Sequence, residues 1–221
     1  MPLRFVIIGG GPAGTTAASH AARLGAEVTV IERDVIGGAA HLRDCIPSKA
    51  MIATGSALAA VGRAPEMGLR PTATEVDADV LRDRIQAIEH KLEQSSLQLL
   101  DSQGVRILRG TGRLVGPHEV VATTDEGTVE LEADAVLLST GSRPRIPDWA
   151  EPDGDRILTT RDAYPPRSWP EHLVVIGSGV TGVEFVHMFS SLGAEVSLIV
   201  SRQQVLPQKD PEVAAALEDE L

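Results

Sequence analysis

Three side chains in this sequence stand out for reactive chemistry: the Cys45 thiol, the Lys49 amine and the Glu184 carboxylate. The first two share the run Cys45-Ile46-Pro47-Ser48-Lys49. Proline is favoured in the first turn of a helix, where its missing N–H has no partner to lose. The run therefore predicts a helix that starts at Pro47, with the thiol just ahead of it. The positive end of the helix dipole and the Lys49 ammonium would both favour a thiolate. An inert, buried thiol is the alternative. Cys45 is the only cysteine among the 221 residues. Storing an electron pair as a disulfide takes two thiols, so an internal dithiol cycle is excluded within this chain. Glu184 follows a glycine-rich turn by two residues, on the first turn of a predicted helix. A Lys49–Glu184 pair is chemically sensible, but spacing alone does not bring the two together.

The glycines carry a second kind of chemistry. Gly9-Gly10-Gly11-Pro12-Ala13-Gly14 has the form GxGxxG, directly after a short apolar run and before an alanine-rich one. In such a turn Gly9 permits the tight bend, Gly11 lets a pyrophosphate approach the backbone, and Gly14 lets helix and strand pack closely. The N–H groups at the helix start then face the phosphates. Glu32 ends the next apolar run, placed to accept hydrogen bonds from ribose hydroxyls. A second copy, Gly177-Ser178-Gly179-Val180-Thr181-Gly182, lies far downstream. Its following strand ends at Val200-Ser201-Arg202, without a carboxylate. Ser201 and Arg202 suit a 2′-phosphate better than a 2′-hydroxyl, which tilts the second nucleotide toward NADPH.

These residues need a scaffold of strands and helices. Residues 4–8 read as a buried strand, 12–24 as a helix and 27–31 as a second strand, a βαβ opening. A helix from Pro47 to about Val61 follows, then a loop from Gly62 to Pro71. Residues 79–102 place Val80, Leu81, Ile85, Ile88, Leu92, Leu97 and Leu100 mostly at three- and four-residue spacing, an amphipathic helix that Gly104 ends. Residues 105–132 alternate short β runs with turns, an antiparallel meander, and 135–139 form another buried strand. Six prolines between 141 and 172 mark a connector. After it the opening pattern returns: a strand at 173–176, the second glycine turn, a helix at 183–192 and a strand at 195–200. The fold expected is α/β, with two Rossmann-like dinucleotide-binding units. The first carries the antiparallel meander as an insertion and the second is truncated. The corresponding division is 1–145, 146–171 and 172–221.

The net charge of −11 argues against nucleic acid and against anionic membrane surfaces. No apolar run approaches the roughly 18 residues of a membrane span. The start is not a signal peptide, because glycines follow its apolar core of residues 5–8 at once. With its lone cysteine, a cytoplasmic setting is the simplest expectation. The six histidines are scattered and no metal-ligand spacing is present.

Taken together, GGGPAG, the loop Gly37–Lys49, Gly110-Thr111-Gly112, the run Ser139–Pro144 and GSGVTGVEF resemble, in order along the whole chain, the class I pyridine nucleotide–disulfide oxidoreductases. The resemblance implies that the first glycine turn binds FAD and the second NAD(P)H. It implies FAD-site positions at Gly9, Gly11, Pro12, Ala13, Gly14, Glu32, Arg33, Gly38, Ala39, Lys49, Gly112, Thr140, Gly141 and Ser142. NAD(P)H positions would be Gly177, Gly179, Val180, Thr181, Gly182, Ser201 and Arg202. Lys49 and Glu184 match a pair near the flavin N5, and Cys45 the cysteine beside the flavin. Ala40 stands where the family's other cysteine would be.

Within the family the chain is most similar to the LpdA-type NAD(P)H:quinone reductases, which lack the cysteine pair. That implies hydride transfer from NAD(P)H to flavin and then reduction of a quinone. The soluble pyridine nucleotide transhydrogenases are the alternative. The resemblance also implies a longer, homodimeric protein, with a Gly-Asp segment and a dimerisation domain beyond residue 221. On that reading the 221 residues alone are inactive, a nucleotide-binding fragment at most.

Overall fold

A computed structural model describes residues 1–70, 74–200 and 203–221. The chain forms two compact units, each drawn from several stretches of sequence. One holds Met1–Ile46, Arg84–Pro152 and Thr159–Arg161; the other holds Pro47–Asp83, Asp153–Leu158 and Asp162–Leu221.

In the first unit, β1 (Arg4–Ile8), β2 (Glu27–Glu32), β3 (Arg106–Arg109) and β7 (Ala135–Leu138) form a parallel sheet in the order β3-β2-β1-β7. Successive residues of a strand face opposite sides, and both sides of β1 are used. Ile7 joins Ala18 of α1 (Pro12–Arg23), Val28, Val30 and Leu100 of α3 (Ala78–Ser102) in one core. Val6 and Ile8 pack with Ile31, Val120, Ala122 and Ala133 in another. The second core lies against β4 (Thr111–Gly116), β5 (Glu119–Thr124) and β6 (Gly127–Glu132), an antiparallel sheet in that order. The expected meander over 105–132 therefore begins one strand later. Arg106–Arg109 pairs parallel to β2, Thr29 opposite Arg106 through Glu32 opposite Arg109. Arg4 ties β1 to the chain before β7, with Nη2 2.9 Å from Asp134 Oδ1 and Nη1 2.7 Å from Glu132 Oε2.

The helix expected from Pro47 has an earlier start. Residues Ala40–Cys45 form a π-helical turn that runs into α2 (Ile46–Gly62). Cys45 thus lies inside a continuous helical segment rather than ahead of one, and its side chain is exposed. The combined segment Ala40–Gly62 has 23 residues and a mean hydropathy of 1.2. By length and composition alone it is apolar enough to cross a membrane, although no uninterrupted apolar run in it reaches that length. It also carries Arg43, Asp44 and Lys49, and it buries Pro47, Ser48, Ala50, Met51 and Gly55.

In the second unit, β8 (His172–Ile176) and β9 (Glu195–Ile199) are a parallel pair joined through α4 (Val180–Ser191). The helix starts three residues earlier than 183, so Glu184 begins its second turn. Tyr164, Trp169, Phe185 and Phe189 gather on α4, with centroids 5.2 Å apart for Trp169–Phe189 and 5.7 Å for Phe185–Phe189. Gly55 of α2 sits where an added methyl would lie 2.8 Å from Ser191 Cβ, so α2 and α4 touch closely there. A last helix, α5 (Pro211–Glu218), is capped by Asp210, which accepts the Glu212 N–H at 2.9 Å.

Candidate functional site

The two glycine turns are built alike, each described within its own unit. Gly9 donates its N–H to Ile31 O at 2.9 Å; Gly177 does the same to Ile199 O at 3.1 Å. Gly11 precedes α1 with φ −71° and ψ −174°; Gly179 precedes α4 with φ −73° and ψ −177°. A methyl added at Gly14 would fall 1.9 Å from Gly9 O, and one at Gly182 1.8 Å from Gly177 O. Gly14 and Gly182 are therefore glycine because helix and turn close on each other. The two middle glycines differ from these. A methyl at Gly179 meets nothing within 4 Å, and one at Gly11 meets only Gly38 Cα at 3.8 Å. Both face open space at the start of a helix, where first-turn N–H groups have no intrahelical partner. An approaching anion fits that geometry.

Glu32 has a second duty that the sequence did not disclose. Its Oε2 accepts the Gly10 N–H at 2.6 Å and its Oε1 accepts the Asp34 N–H at 2.7 Å. A carboxylate has about four acceptor sites, so capacity for a ribose hydroxyl remains. Gly9, Glu32, Arg33, Gly112 and Thr140 line one groove in the first unit, along with Gly110. Gly38, at φ +78°, presses its Cα against Gly11, and Ala39 follows at the start of the π turn. Pro12, Ala13, Gly141 and Ser142 are exposed. A wider groove between α1 and α3, beside Thr15, Ser19, His20, Arg23 and Ser96, includes none of the expected residues.

Two residues that the sequence reading left out shape the first turn. Ser139 donates its hydroxyl to Gly9 O at 2.8 Å, and its position directly before Thr140-Gly141 was the available signal. Gly10 sits tightly: a methyl there would lie 2.7 Å from Ile36 Cδ1 and 3.1 Å from Glu32 Cβ, so these side chains would have to shift. In the second unit, Lys49 and Glu184 meet: Nζ lies 2.6 Å from Oε1 and 3.3 Å from Ser48 Oγ. Val180 and Thr181 are exposed on the first turn of α4. Ser201 and Arg202 lie outside the described residues. Among the described residues no cluster of histidine, cysteine or carboxylate side chains is disposed to hold a metal.

Within its own unit, each glycine turn leaves open backbone at a helix start, a chemistry that suits a nucleotide phosphate. Known proteins agree with that chemistry. The chain is 41% identical over 231 residues to an NAD(P)H dehydrogenase (quinone) of Mycobacterium tuberculosis H37Rv, which covers 99% of this chain and 47% of that protein. It is 34% identical over 212 residues to a dihydrolipoyl dehydrogenase of Zymomonas mobilis, covering 96% of this chain and 46% of that protein. The crystal structure of LpdA from Mycobacterium tuberculosis superposes with a TM-score of 0.90 at 40% identity, over 99% of this chain and 49% of that one. The chain thus spans about half the length of the relatives it matches. The family model described as pyridine nucleotide-disulphide oxidoreductase matches residues 3–221, and the chain belongs to that family.

Proposed function

We propose that the protein is an FAD-dependent NAD(P)H oxidoreductase that reduces a quinone and uses no redox-active disulfide. The family uses FAD and NAD(P)H. The observation that carries the reading is the single thiol: Cys45 is exposed, and Ala40 stands one π turn before it. A dithiol route is closed to these residues, while the similarity to a protein named NAD(P)H dehydrogenase (quinone) supports a route without one.

FAD, when bound, supplies the two-electron chemistry between nicotinamide and acceptor. The protein's part is binding and electrostatics. Gly9–Gly14 and the N-terminal N–H groups of α1 take the pyrophosphate of the flavin nucleotide, and Glu32 takes its ribose. Gly177–Gly182 and α4 do the same for NAD(P)H. Lys49, held by Glu184, contributes a fixed positive charge where negative charge develops, which stabilises the transition state without reorganisation. Cys45 is read, as the family resemblance implies, as a polarisable thiol beside the flavin. We read the whole protein as a cytoplasmic homodimer.

The test is the full protein with NAD(P)H and a soluble quinone. A flavin spectrum, bleaching by NAD(P)H and sustained quinone reduction are expected, with no lipoamide turnover. Quinone reduction no faster than the enzyme-free reaction, or substantial lipoamide turnover, would overturn the proposal.

A further inference from the structure

After β2 the chain must double back beneath the first glycine turn, and residues 33–38 do so without regular structure. Their backbone N–H groups need partners, and side chains supply two of them. Asp34 N–H goes to Glu32 Oε1 at 2.7 Å, and Ile36 N–H goes to Glu93 Oε1 on α3 at 3.2 Å. The same Glu93 oxygen receives Arg109 Nη2 at 3.0 Å, while Arg109 Nη1 donates to Asp34 O at 2.9 Å. One helical turn earlier, Glu89 Oε2 lies 3.3 Å from Arg43 Nη1, just past the loop. The helix α3 therefore grips the segment through Glu93 and the chain just beyond it through Glu89.

Exposed ion pairs contribute little, and a pair of solvated surface contacts is the ordinary reading. Two facts set these apart. The Glu89 and Glu93 side chains are only 16% and 20% exposed. The N–H that Glu93 accepts belongs to Ile36, which is fully buried, so water does not replace the lost partner. The segment passes the constraint on. Gly37 donates its N–H to Gly10 O at 2.8 Å, and Gly38 packs its backbone against Gly11. The side-chain oxygen of Glu93 bonds to Ile36 and Arg109, outside the turn.

We infer that Glu93, with Arg109, is a positioning residue for the first nucleotide seat: it fixes residues 33–38, and these fix the backbone of Gly9–Gly11. The identity of the ligand rests on the proposed flavin reading; the mechanical link does not.

The test uses hydrogen exchange, read by peptide mass spectrometry, and the rate of FAD release, both on the full protein. Glu93→Leu keeps a good helix former and removes the acceptor. Amide exchange is expected to rise about five- to tenfold both at 33–38 and at 9–11, with faster FAD release. Glu93→Gln retains an oxygen for Ile36 and Arg109 and is expected to restore wild-type exchange and release. Faster exchange confined to 33–38 overturns the link, as does a Gln variant that behaves like Leu. Faster exchange in both segments with unchanged FAD release leaves the link standing and removes the flavin seat from the reading. If Glu93→Leu does not fold, Arg109→Met removes the two guanidinium bonds at a half-exposed position. It is expected to raise exchange in both segments, and wild-type rates would overturn the inference.

Discussion

Gly11 and Gly14 sit three residues apart in one turn, yet their replacement by alanine should fail in opposite ways. At Gly14 the new methyl would lie 1.9 Å from Gly9 O, where real Cβ contacts stay above 3.0 Å. The backbone would have to part by about 1.1 Å at a buried site. Overpacking of this kind costs about 1–3 kcal/mol, and the gain in helix propensity offsets at most about 1 kcal/mol. With an overlap this large against backbone the upper end of that cost applies, and a net loss of about 2 kcal/mol follows. At Gly11 the nearest neighbour of the methyl is 3.8 Å away, and φ −71° suits alanine. Stability there should stay within about 0.5 kcal/mol of wild type. The same methyl, however, would occupy the space through which a phosphate reaches the backbone. Losing that approach should weaken FAD binding at least tenfold, about 1.4 kcal/mol. Urea unfolding of the apoprotein and FAD titration by fluorescence separate the two effects. The reasoning is refuted if Gly11→Ala binds FAD within twofold of wild type, or if it loses as much stability as Gly14→Ala.

Three further outcomes are expected. Lys49→Met should lower kcat, normalised to bound FAD, about tenfold or more; a wild-type kcat would remove Lys49 from the chemistry. Gly55→Ala should be destabilising because of Ser191 Cβ at 2.8 Å. Adding Ser191→Gly should then return about 1 kcal/mol beyond additivity in a urea double-mutant cycle, and strictly additive values would mean the helices do not meet there. Hydrogen bonds from the Arg4 guanidinium and backbone N–H hold the Asp134 carboxyl at about 2, below its ordinary 3.8. A depressed folded value adds stability above the unfolded one and loses it as pH falls. Between pH 4 and 2 Asp134→Asn should therefore flatten the acid limb of the stability profile, and an unchanged slope would discount the contact.

The βαβ opening was legible because its signals are local: apolar runs of strand length, glycines at fixed offsets and a carboxylate at the strand end. The repeat was legible for the same reason, and residues 168 apart, such as Gly9 and Gly177, take equivalent places. Pairing partners were not legible. The run Arg106-Ile107-Leu108-Arg109 has the same pattern whether it joins a parallel or an antiparallel sheet, and only its contact with Thr29–Glu32 decides. The start of α2 was legible to one residue because Pro47 is a strong local signal, while the π turn ahead of it has no comparable one and was missed. The meeting of Lys49 with Glu184, 135 residues on, depends on how α2 packs against α4. Glu93 is one more acidic residue on an amphipathic helix until the loop it holds is seen.

The π turn at Ala40–Cys45 bears on how the protein tolerates oxidants. In that winding the backbone bonds a residue to the fifth one along, as Ile46 N–H does to His41 O at the end of the turn. The loop's shape is thus set by peptide groups, with no bond between sulfurs to make or break. A shift in the surrounding thiol poise changes at most one exposed side chain here. The seat it borders should keep its form across reducing and oxidising conditions, because no sulfur–sulfur bond among these residues sets its shape.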